Sequence, residues 1–175
     1  MRYGLYLLAG LAGLLSCGCS STSNLDVVSG FEIDRYLGTW YEVARFPHRF
    51  ERGLTSVTAE YSLNPAGTVR VVNRGYNTAK AEWEQAVAEA KFKNDPTKGW
   101  LKVSFFKPFY ASYKIIHLDA EYTEAIVTGP TYSYLWILVR DPDISQPDLD
   151  RLVRTAGGFG FDTNRLELIE HTVQP

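Results

Sequence analysis

The sequence predicts an all-β domain, a sandwich or a barrel of eight antiparallel strands, with one α-helix after them. Apolar and polar residues alternate from Trp40 onward, as they do in half-buried strands. Turn-forming residues interrupt this alternation about every ten residues. Apolar residues at helical spacing follow the last of these strands. The strands are predicted at residues 39–46, 57–63, 68–75, 83–92, 100–105, 113–118, 125–129 and 134–140.

The first residues form a targeting segment rather than part of the fold. The apolar run at residues 5–15 is shorter than the roughly 20 residues that span a bilayer, and it matches the hydrophobic part of a signal peptide. It ends at Leu14-Leu15-Ser16-Cys17, which resembles a bacterial lipobox with Cys17 as the acylated residue. Cys19 is the competing site, and an ordinary signal peptide with two incidental cysteines is the alternative.

This cleavage point divides the chain into three parts. Residues 1–16 are predicted to be the signal peptide, and residues 17–30 a lipidated N-terminus and tether, because residues 20–29 are small and polar. Residues 31–175 are predicted to form one domain, with a short helical turn at residues 33–37 before the first strand.

Composition limits what the domain can do. The net charge is −2 and no basic patch stands out, which argues against nucleic acid as a partner. Both cysteines, Cys17 and Cys19, lie at the cleavage point, so the domain has neither a disulfide nor a thiol nucleophile. Aromatic residues make up 14% of the chain, more than a simple core of this size needs, and a ligand cavity would use the remainder.

Each strand has one apolar face. In the fourth strand Ala88, Ala90 and Phe92 share a face, while Glu89 and Lys91 lie on the other. This alternation is typical of an antiparallel sheet with one solvated side. Small inward residues such as these alanines leave space, and an eight-stranded barrel can enclose one small ligand.

The helix is predicted from its caps. Ser145 is the N-cap, with Pro147 in the first turn and Asp148 three residues after the cap. Gly157-Gly158 ends it. Its apolar stripe is expected to pack on the outward-facing apolar residues of the sheet, which are Ile126, Ile137 and Val139. A last strand is predicted at residues 165–171.

Short motifs resemble those of the lipocalin family. Gly38-Thr39-Trp40 matches the G-x-W of the first strand, and Arg140 closes the last barrel strand about a hundred residues later. Thr128-Gly129 matches the second, looser motif only in part. Longer strings resemble lipid-anchored bacterial members of the family, and they span residues 35–46, 48–54, 101–110 and 134–138.

The resemblance implies an eight-stranded up-and-down β-barrel with the C-terminal helix packed on its outside. It also implies a fatty acid, phospholipid or lysophospholipid as the ligand, and a role in lipid storage or transport at the outer membrane. The expected partners are this lipid and the membrane that holds the anchor, with a homodimer possible. Gly18 rather than Asp follows Cys17, which resembles sorting to the outer membrane, facing the periplasm.

Three residues are predicted to close the barrel at one end. The first strand rises from that end and the eighth descends to it, so Trp40 and Arg140 should meet there, beside Gly38. A guanidinium over an indole face contributes roughly 0.5–2 kcal/mol. We therefore assign these residues a structural role and do not count them as ligand contacts.

Parity along the strands predicts which residues face the ligand. The predicted ligand-binding residues are Trp136, Leu138, Tyr113, Ile115, Phe105, Val103, Phe92, Ala90, Tyr61, Val71, Asn73, Glu42 and Ala44. Glu42 and Asn73 are polar positions on this otherwise apolar face. They could bond to each other, hold water or orient a ligand head group.

Aromatic residues are also expected around the open end of the barrel. They are Phe46, Phe50, Phe106, Phe109 and Tyr110, and they form either an apolar rim or supports packed on one another.

A binding protein is favoured over an enzyme, with no catalytic residue, metal ion or cofactor expected. The three histidines, His48, His117 and His171, have no spacing that would make a zinc site. His117 has inward parity near the closed end, so a carrier of haem or of another small apolar ligand is the alternative, although a lone histidine is more often structural. A purely structural lipoprotein with a filled barrel is the third possibility.

Overall fold

The computed structural model describes residues 20–173. The predicted signal peptide, Cys17 and Cys19 lie outside the described residues. Within residues 20–173, the helices are too short or too polar to cross a membrane.

A short helix precedes a run of strands, and one longer helix follows it. The first helix is α1 (Ile33–Tyr36), and the strands are β1 (Gly38–Arg45), β2 (Leu54–Leu63), β3 (Val69–Asn77), β4 (Glu82–Phe92), β5 (Trp100–Phe106), β6 (Phe109–Leu118), β7 (Glu124–Thr128) and β8 (Leu135–Val139). The chain continues with α2 (Gln146–Gly158), a 3₁₀ turn (Thr163–Arg165) and β9 (Glu167–Leu168).

The sheet closes on itself. Strands β2 to β8 pair in sequence order, β8 pairs with β1, and β1 returns to β2, all antiparallel. This confirms the eight-stranded up-and-down barrel and excludes the sandwich. The connections β1–β2, β3–β4, β5–β6 and β7–β8 lie at one end, which we call the mouth, and the other end is the floor.

Several predicted strand bounds differ from the structure, and two strands differ most. Strand β6 begins at Phe109 rather than at residue 113, because Phe106 pairs with Phe109 in a tight hairpin. The last strand pairs with β1 over Glu167 and Leu168 instead of residues 165–171. Beyond Leu168 the chain bonds alternately to β1 and β2, whose ladders are interrupted by bulges there.

A β-bulge in β1 reverses the parity of the residues that follow it. Glu42 lies opposite Leu138, but the next paired residue, Ala44, lies opposite Ile137 on the outer face. The predicted inward orientation of Ala44 was therefore wrong, because the bulge inserts one extra residue. Arg45 takes the inward place instead, opposite Trp136.

A second bulge does the same in β6. Ile115 pairs with Val127 inside the barrel, whereas His117 pairs with Ile126 on the outer face. The inward parity predicted for His117 was therefore wrong.

Helix α2 packs on the outside of the barrel. Its buried residues Leu149, Leu152 and Ala156 share a cluster with the outward apolar side chains of the sheet. Those side chains include the predicted Ile126, Ile137 and Val139. Ser145 caps the helix by accepting a hydrogen bond from the Asp148 amide at 3.3 Å, as the sequence predicted.

The N-terminal segment, predicted to be a tether, lies against the barrel instead. Thr22 is 1% exposed, and its hydroxyl donates to the Gly129 carbonyl oxygen at 2.7 Å. The Lys114 ammonium donates to the Thr22 carbonyl oxygen. Farther along, the Val28 amide donates to the Ile115 carbonyl oxygen at 3.0 Å. These contacts make residues 21–28 part of the fold.

Arg140 closes the floor, as predicted. Its guanidinium carbon lies 4.1 Å from the centroid of the Trp40 ring. The guanidinium also donates hydrogen bonds to the carbonyl oxygens of Arg35, Tyr36, Leu37, Thr39 and Tyr122. Gly38 has a φ of +93°, and a Cβ there would lie 3.3 Å from Arg140 Nη1, so glycine suits this turn. One side chain thus holds the first strand, the last strand and α1 together.

We expect Arg140→Ala to lower the free energy of unfolding by about 2–4 kcal/mol, since it removes the cation–π contact and leaves several carbonyl groups unpaired. Urea unfolding followed by circular dichroism measures this. Arg140→Lys is the matched control, because it keeps the charge but not the planar fork, and its loss should be intermediate. An alanine variant with an unchanged unfolding midpoint would contradict this role for Arg140.

Candidate functional site

The mouth half of the barrel is hollow. A cavity of about 290 Å³ lies between the strands, and a second space of about 550 Å³ adjoins it toward β3 and β4. Nine of the residues predicted from strand parity line the first cavity: Glu42, Tyr61, Val71, Asn73, Val103, Phe105, Tyr113, Trp136 and Leu138. Its size is in the range of sites that take small organic ligands.

The floor half is filled. Three residues predicted to contact the ligand, Ile115, Ala90 and Phe92, belong to the packed interior cluster and not to the cavity lining. Phe31 contributes to this packing, since it enters from the N-terminal segment and lies against Phe92 with ring centroids 6.2 Å apart. Parity within the strands carries no information about a side chain that arrives from outside them.

Three tyrosines separate the two halves. The Tyr113 hydroxyl lies 2.8 Å from the hydroxyls of both Tyr36 and Tyr61. Burial raises the pKa of Tyr61 to about 12 and raises the pKa values of Tyr36 and Tyr113 well above their usual range. All three hydroxyls therefore stay protonated, and they form an uncharged polar surface at the bottom of the cavity.

A buried arginine and a buried carboxyl group are hydrogen-bonded beside the cavity. Arg45 Nη1 donates to Glu42 Oε1 at 2.7 Å, and both side chains are nearly inaccessible to solvent. Arg45 Nη2 donates to the carbonyl oxygens of Glu51 at 2.7 Å and Leu54 at 3.2 Å. These bonds hold the loop between β1 and β2 over the mouth. Glu42 is thus bonded to Arg45, which answers one of the questions that the sequence left open.

A second carboxyl group, that of Glu51, lies close enough to interact electrostatically with the same guanidinium. Glu51 lines the cavity and accepts a hydrogen bond from Trp136 Nε1 at 3.2 Å. Burial and the nearby Glu51 charge raise the pKa of Glu42 to about 8, and burial raises the pKa of Glu51. Two carboxyl groups and one arginine therefore retain a proton at neutral pH, which brings the net charge of the group close to zero.

His48 covers these charged groups with a neutral ring. It stacks on Phe50 at 4.3 Å between centroids and lies 5.0 Å from the Trp136 ring. Burial and the nearby Arg45 charge lower the pKa of His48 to about 4, so the ring is uncharged at neutral pH. Its Nδ1 lies 3.1 Å from Glu51 Oε2, but a neutral imidazole forms no ion pair there.

Asn73 carries a polar atom without a partner. Its Oδ1 is buried at the cavity wall and accepts no hydrogen bond from another described residue. Such an atom costs about 1–3 kcal/mol unless a ligand or water bonds to it. Asn73 is therefore a candidate contact for a polar group of the ligand.

Sequence reasoning missed Arg45 and Glu51. Arg45 follows Ala44, which was predicted to face inward, so alternation did not select it; its inward position depends on the bulge. Glu51 lies in a loop, where no periodicity indicates burial. A signal did exist for the site as a whole, since Glu42 was a charged residue at an inward position and required a partner.

Part of the predicted aromatic rim is present. Phe50, Phe106 and Phe109 are 60%, 82% and 79% exposed at the mouth. Phe46 is instead buried against Phe161, and Tyr110 is half-buried beneath Lys91. Those two aromatics support the loops and do not belong to the rim.

The described residues offer little to a metal ion or haem. No group of three or more His, Cys, Asp or Glu side chains within residues 20–173 is placed to hold a metal. His117, on which the haem alternative depended, lies on the outer face of the barrel.

Comparison with known proteins gives consistent matches. The lipocalin-like domain family matches residues 31–171. The outer membrane lipoprotein Blc of Vibrio cholerae is 48% identical over 162 residues, which cover 91% of this chain and 95% of that protein. Apolipoprotein D of Rattus norvegicus is 32% identical over 151 residues, 79% of each chain. The cockroach allergen Per a 4 superposes with a TM-score of 0.67 at 16% identity, covering 87% of this chain and 96% of that chain, and it supports the fold alone.

The buried carboxyl groups predict a pH dependence of stability. The folded state keeps a proton on Glu42 up to about pH 8, whereas the unfolded chain releases it near 4.5. Stability should therefore fall as pH rises through this window, by at most about 1.4 kcal/mol per pH unit for one proton. Glu42→Gln should remove this contribution.

The measurement is urea unfolding of wild type and Glu42→Gln at several pH values between about 5 and 8. His48 titrates in the opposite sense, so the difference between the two proteins is the quantity to follow. Glu121→Gln, at an exposed position, is the control and should behave as wild type. A difference that is independent of pH would show that Glu42 is already ionised beside Arg45.

Proposed function

This chain belongs to the lipocalin family, and on that premise we propose that its barrel binds one amphiphilic lipid for storage or transport at the outer membrane. Lipocalins bind small hydrophobic ligands, and the family consists of binding proteins rather than enzymes. The ligand in this proposal is a fatty acid, a phospholipid or a lysophospholipid. The observation that carries it is the cavity at the mouth. Its walls are mostly apolar, tyrosine hydroxyls lie at its bottom, and the carboxyl-bearing residues Glu42 and Glu51 line it.

The walls suit an acyl chain. Val57, Val71, Val103, Val127 and Leu138 surround the space and offer no hydrogen-bonding side chain. Each methylene that leaves water for such a surface contributes about 0.8 kcal/mol. A chain of methylenes therefore gains affinity in proportion to the length that enters the barrel.

The charged groups favour entry of the tail before the head group. The Arg45 guanidinium is bonded to Glu42 and to two carbonyl groups, and its remaining unpaired nitrogen, Nε, is buried, so an anionic head group has no accessible donor there. A carboxylate or phosphate placed beside Glu42 and Glu51 would be buried without a counter-charge, which is costly. The head group then stays at the mouth, where Arg49 and Arg52 are exposed.

Asn73 favours a lipid with a free hydroxyl group. Asn73 lines the cavity, and its Oδ1 is buried in the wall without a hydrogen-bond partner among the described residues. The glycerol hydroxyl of a lysophospholipid could donate to this oxygen, whereas a diacyl lipid has no donor at that position. This is the feature that distinguishes lysophospholipids from the other candidate ligands.

The proposal includes a membrane anchor at Cys17 on the periplasmic side of the outer membrane. Its support is the lipobox-like sequence, the glycine that follows the cysteine, and the names of relatives such as Blc, an outer membrane lipoprotein. The signal peptide at residues 1–16 and a homodimer remain predictions.

We expect Trp136 to report ligand entry. Its indole lines the cavity and is bonded to Glu51, so an acyl chain beside it should change its fluorescence. Titration with a fatty acid or a lysophospholipid should quench or shift the emission, and Trp136→Phe should remove most of the change. Trp100→Phe is the control, because Trp100 lies under Lys93, with Nζ 3.5 Å from its ring centroid, and outside the cavity lining. A signal that survives Trp136→Phe intact would mean that the ligand binds elsewhere.

We expect Cys17→Ala to abolish acylation. The variant should accumulate as an unlipidated precursor and change its fractionation, since it lacks the two acyl chains that give stable attachment. Mass spectrometry of the purified protein shows the acyl groups directly. Cys19→Ala is the matched control and should remain acylated. Acyl chains on the Cys17→Ala protein would assign the anchor to Cys19.

A further inference from the structure

We infer that the barrel docks with its mouth on the bilayer that holds its anchor, so that a lipid passes between membrane and cavity without crossing water. The partner is a lipid surface, and the contact is made by Phe50, Phe106 and Phe109. The inference rests on the proposed anchor at Cys17. Three observations carry it: the place where the chain reaches the barrel, the exposed phenylalanines, and the charges beside them.

The N-terminal segment reaches the barrel at the mouth. The Tyr132 amide donates to the Ser20 carbonyl oxygen at 2.9 Å, and Ser21 forms a β-bridge with Thr131. The Thr22 amide donates to the Pro130 carbonyl oxygen at 3.1 Å. All three partners belong to the β7–β8 connection, and Pro130 itself lines the cavity. Ser20 is thus held at the rim.

The distance to the anchor is short. Cys17 precedes Ser20 by three residues, which reach at most roughly 10 Å when fully extended. Strands of this length separate the mouth from the floor by roughly 20–30 Å. With the floor on the membrane, the anchored cysteine could not reach the bilayer. The mouth must therefore lie near the lipids.

Exposed phenylalanines lie at the same end. Phe106 and Phe109 face each other at the tip of the β5–β6 hairpin, and Phe50 lies in the β1–β2 loop. At the floor, by contrast, Leu63 is a single exposed leucine beside a turn. Apolar side chains gathered at one end of a soluble barrel mark an interaction surface.

The charges beside the phenylalanines favour a lipid surface. Arg49 and Arg52 flank Phe50 in the sequence and are exposed, and exposed basic residues are attracted to anionic head groups. Lys107 lies between Phe106 and Phe109, but its ammonium is 3.0 Å from a Glu89 oxygen, so it contributes less. In the β3–β4 connection Lys80 is balanced by Glu84 at 2.6 Å. The mouth therefore presents aromatic rings with a positive border at the β1–β2 loop.

With the barrel docked in this way, the opening of the cavity lies at the surface of the bilayer. Phe50 belongs both to the exposed set and to the cavity lining, as does Phe105, which is 42% exposed. A lipid that slides past these rings leaves the acyl region of the membrane and enters the barrel tail first. The same phenylalanines would thus serve as the contact with the bilayer and as the entrance.

The test places a probe at each end of the anchored protein. The described residues contain no cysteine, so Phe109→Cys or Leu63→Cys, in a lipidated chain that also carries Cys19→Ser, offers one free thiol for a polarity-sensitive NBD label. The labelled proteins are reconstituted into vesicles of phosphatidylethanolamine and phosphatidylglycerol that contain a nitroxide-labelled lipid. We expect the label at position 109 to shift to shorter wavelength and to be quenched several-fold more than the label at position 63. Equal quenching at the two positions would overturn the inference.

A second copy of the chain could cover the same phenylalanines, and a further arm of the test detects it. The Phe109→Cys label is also measured on an unlipidated chain carrying Cys17→Ala, in buffer without vesicles. On this chain we expect the emission of the label to stay at the wavelength typical of a water-exposed label. A shift to shorter wavelength without lipid would show that another copy covers the rim, and it would overturn membrane docking.

A transfer assay separates docking from ligand binding. We expect Phe109→Ser, at a rim position outside the lining of both spaces, to slow several-fold the uptake of a fluorescent lysophospholipid from the same vesicles. Affinity for that lipid in solution, with the unlipidated chain, should not change. Leu63→Ser is the matched control and should leave uptake unaltered. Unchanged uptake in the Phe109→Ser variant would overturn docking, whereas a wild-type chain that does not bind the lipid in solution would overturn the proposed function instead.

Discussion

The Arg140 guanidinium lies between the Trp40 ring and a set of backbone carbonyl groups, and the rest of the barrel depends on this contact. It joins the end of β8 to the start of β1, and it fixes α1 across the floor. With that end closed, Tyr36, Trp40 and Phe31 pack into the lower barrel. The space that remains lies at the mouth. The guanidinium finds hydrogen-bond acceptors in several carbonyl oxygens and a favourable contact with the aromatic ring. An ion pair would instead require a carboxylate to be buried as well, which costs free energy.

Strand parity predicted the site well where the strands are regular. Val71, Val103 and Tyr61 lie on uninterrupted stretches of ladder and reach the cavity as expected. Parity failed beyond the bulges of β1 and β6, where it placed Ala44 and His117 on the wrong side. A bulge depends on how two strands fit together across the sheet, so neither strand alone indicates it.

Residues outside the strands escaped sequence reasoning for a different reason. Phe31, Glu51 and Thr22 lie in segments without periodicity, and long-range contacts alone fix their positions. The small polar residues before Phe31 have the composition of a linker, yet their hydroxyl and amide groups bond to the barrel. Composition shows that a segment can remain solvated. It does not show whether the folded domain offers partners for its polar groups.

The half of the barrel at the mouth provides the cavity, and the half at the floor provides the packing that stabilises the fold. A hollow upper half loses packing energy, because the side chains around a cavity lack neighbours on one side. The aromatic lower half and the cluster beneath α2 compensate for that loss with dense packing. The bulge in β1 connects the two requirements, since it turns Ala44 outward toward the cluster that α2 covers and Arg45 inward toward Glu42. A regular β1 would bury an alanine where the cavity has its arginine, and Glu42 would then lack the partner that makes its burial tolerable. The irregularity in the strand is therefore what allows an ionisable residue, Glu42, to lie on the wall of an apolar site.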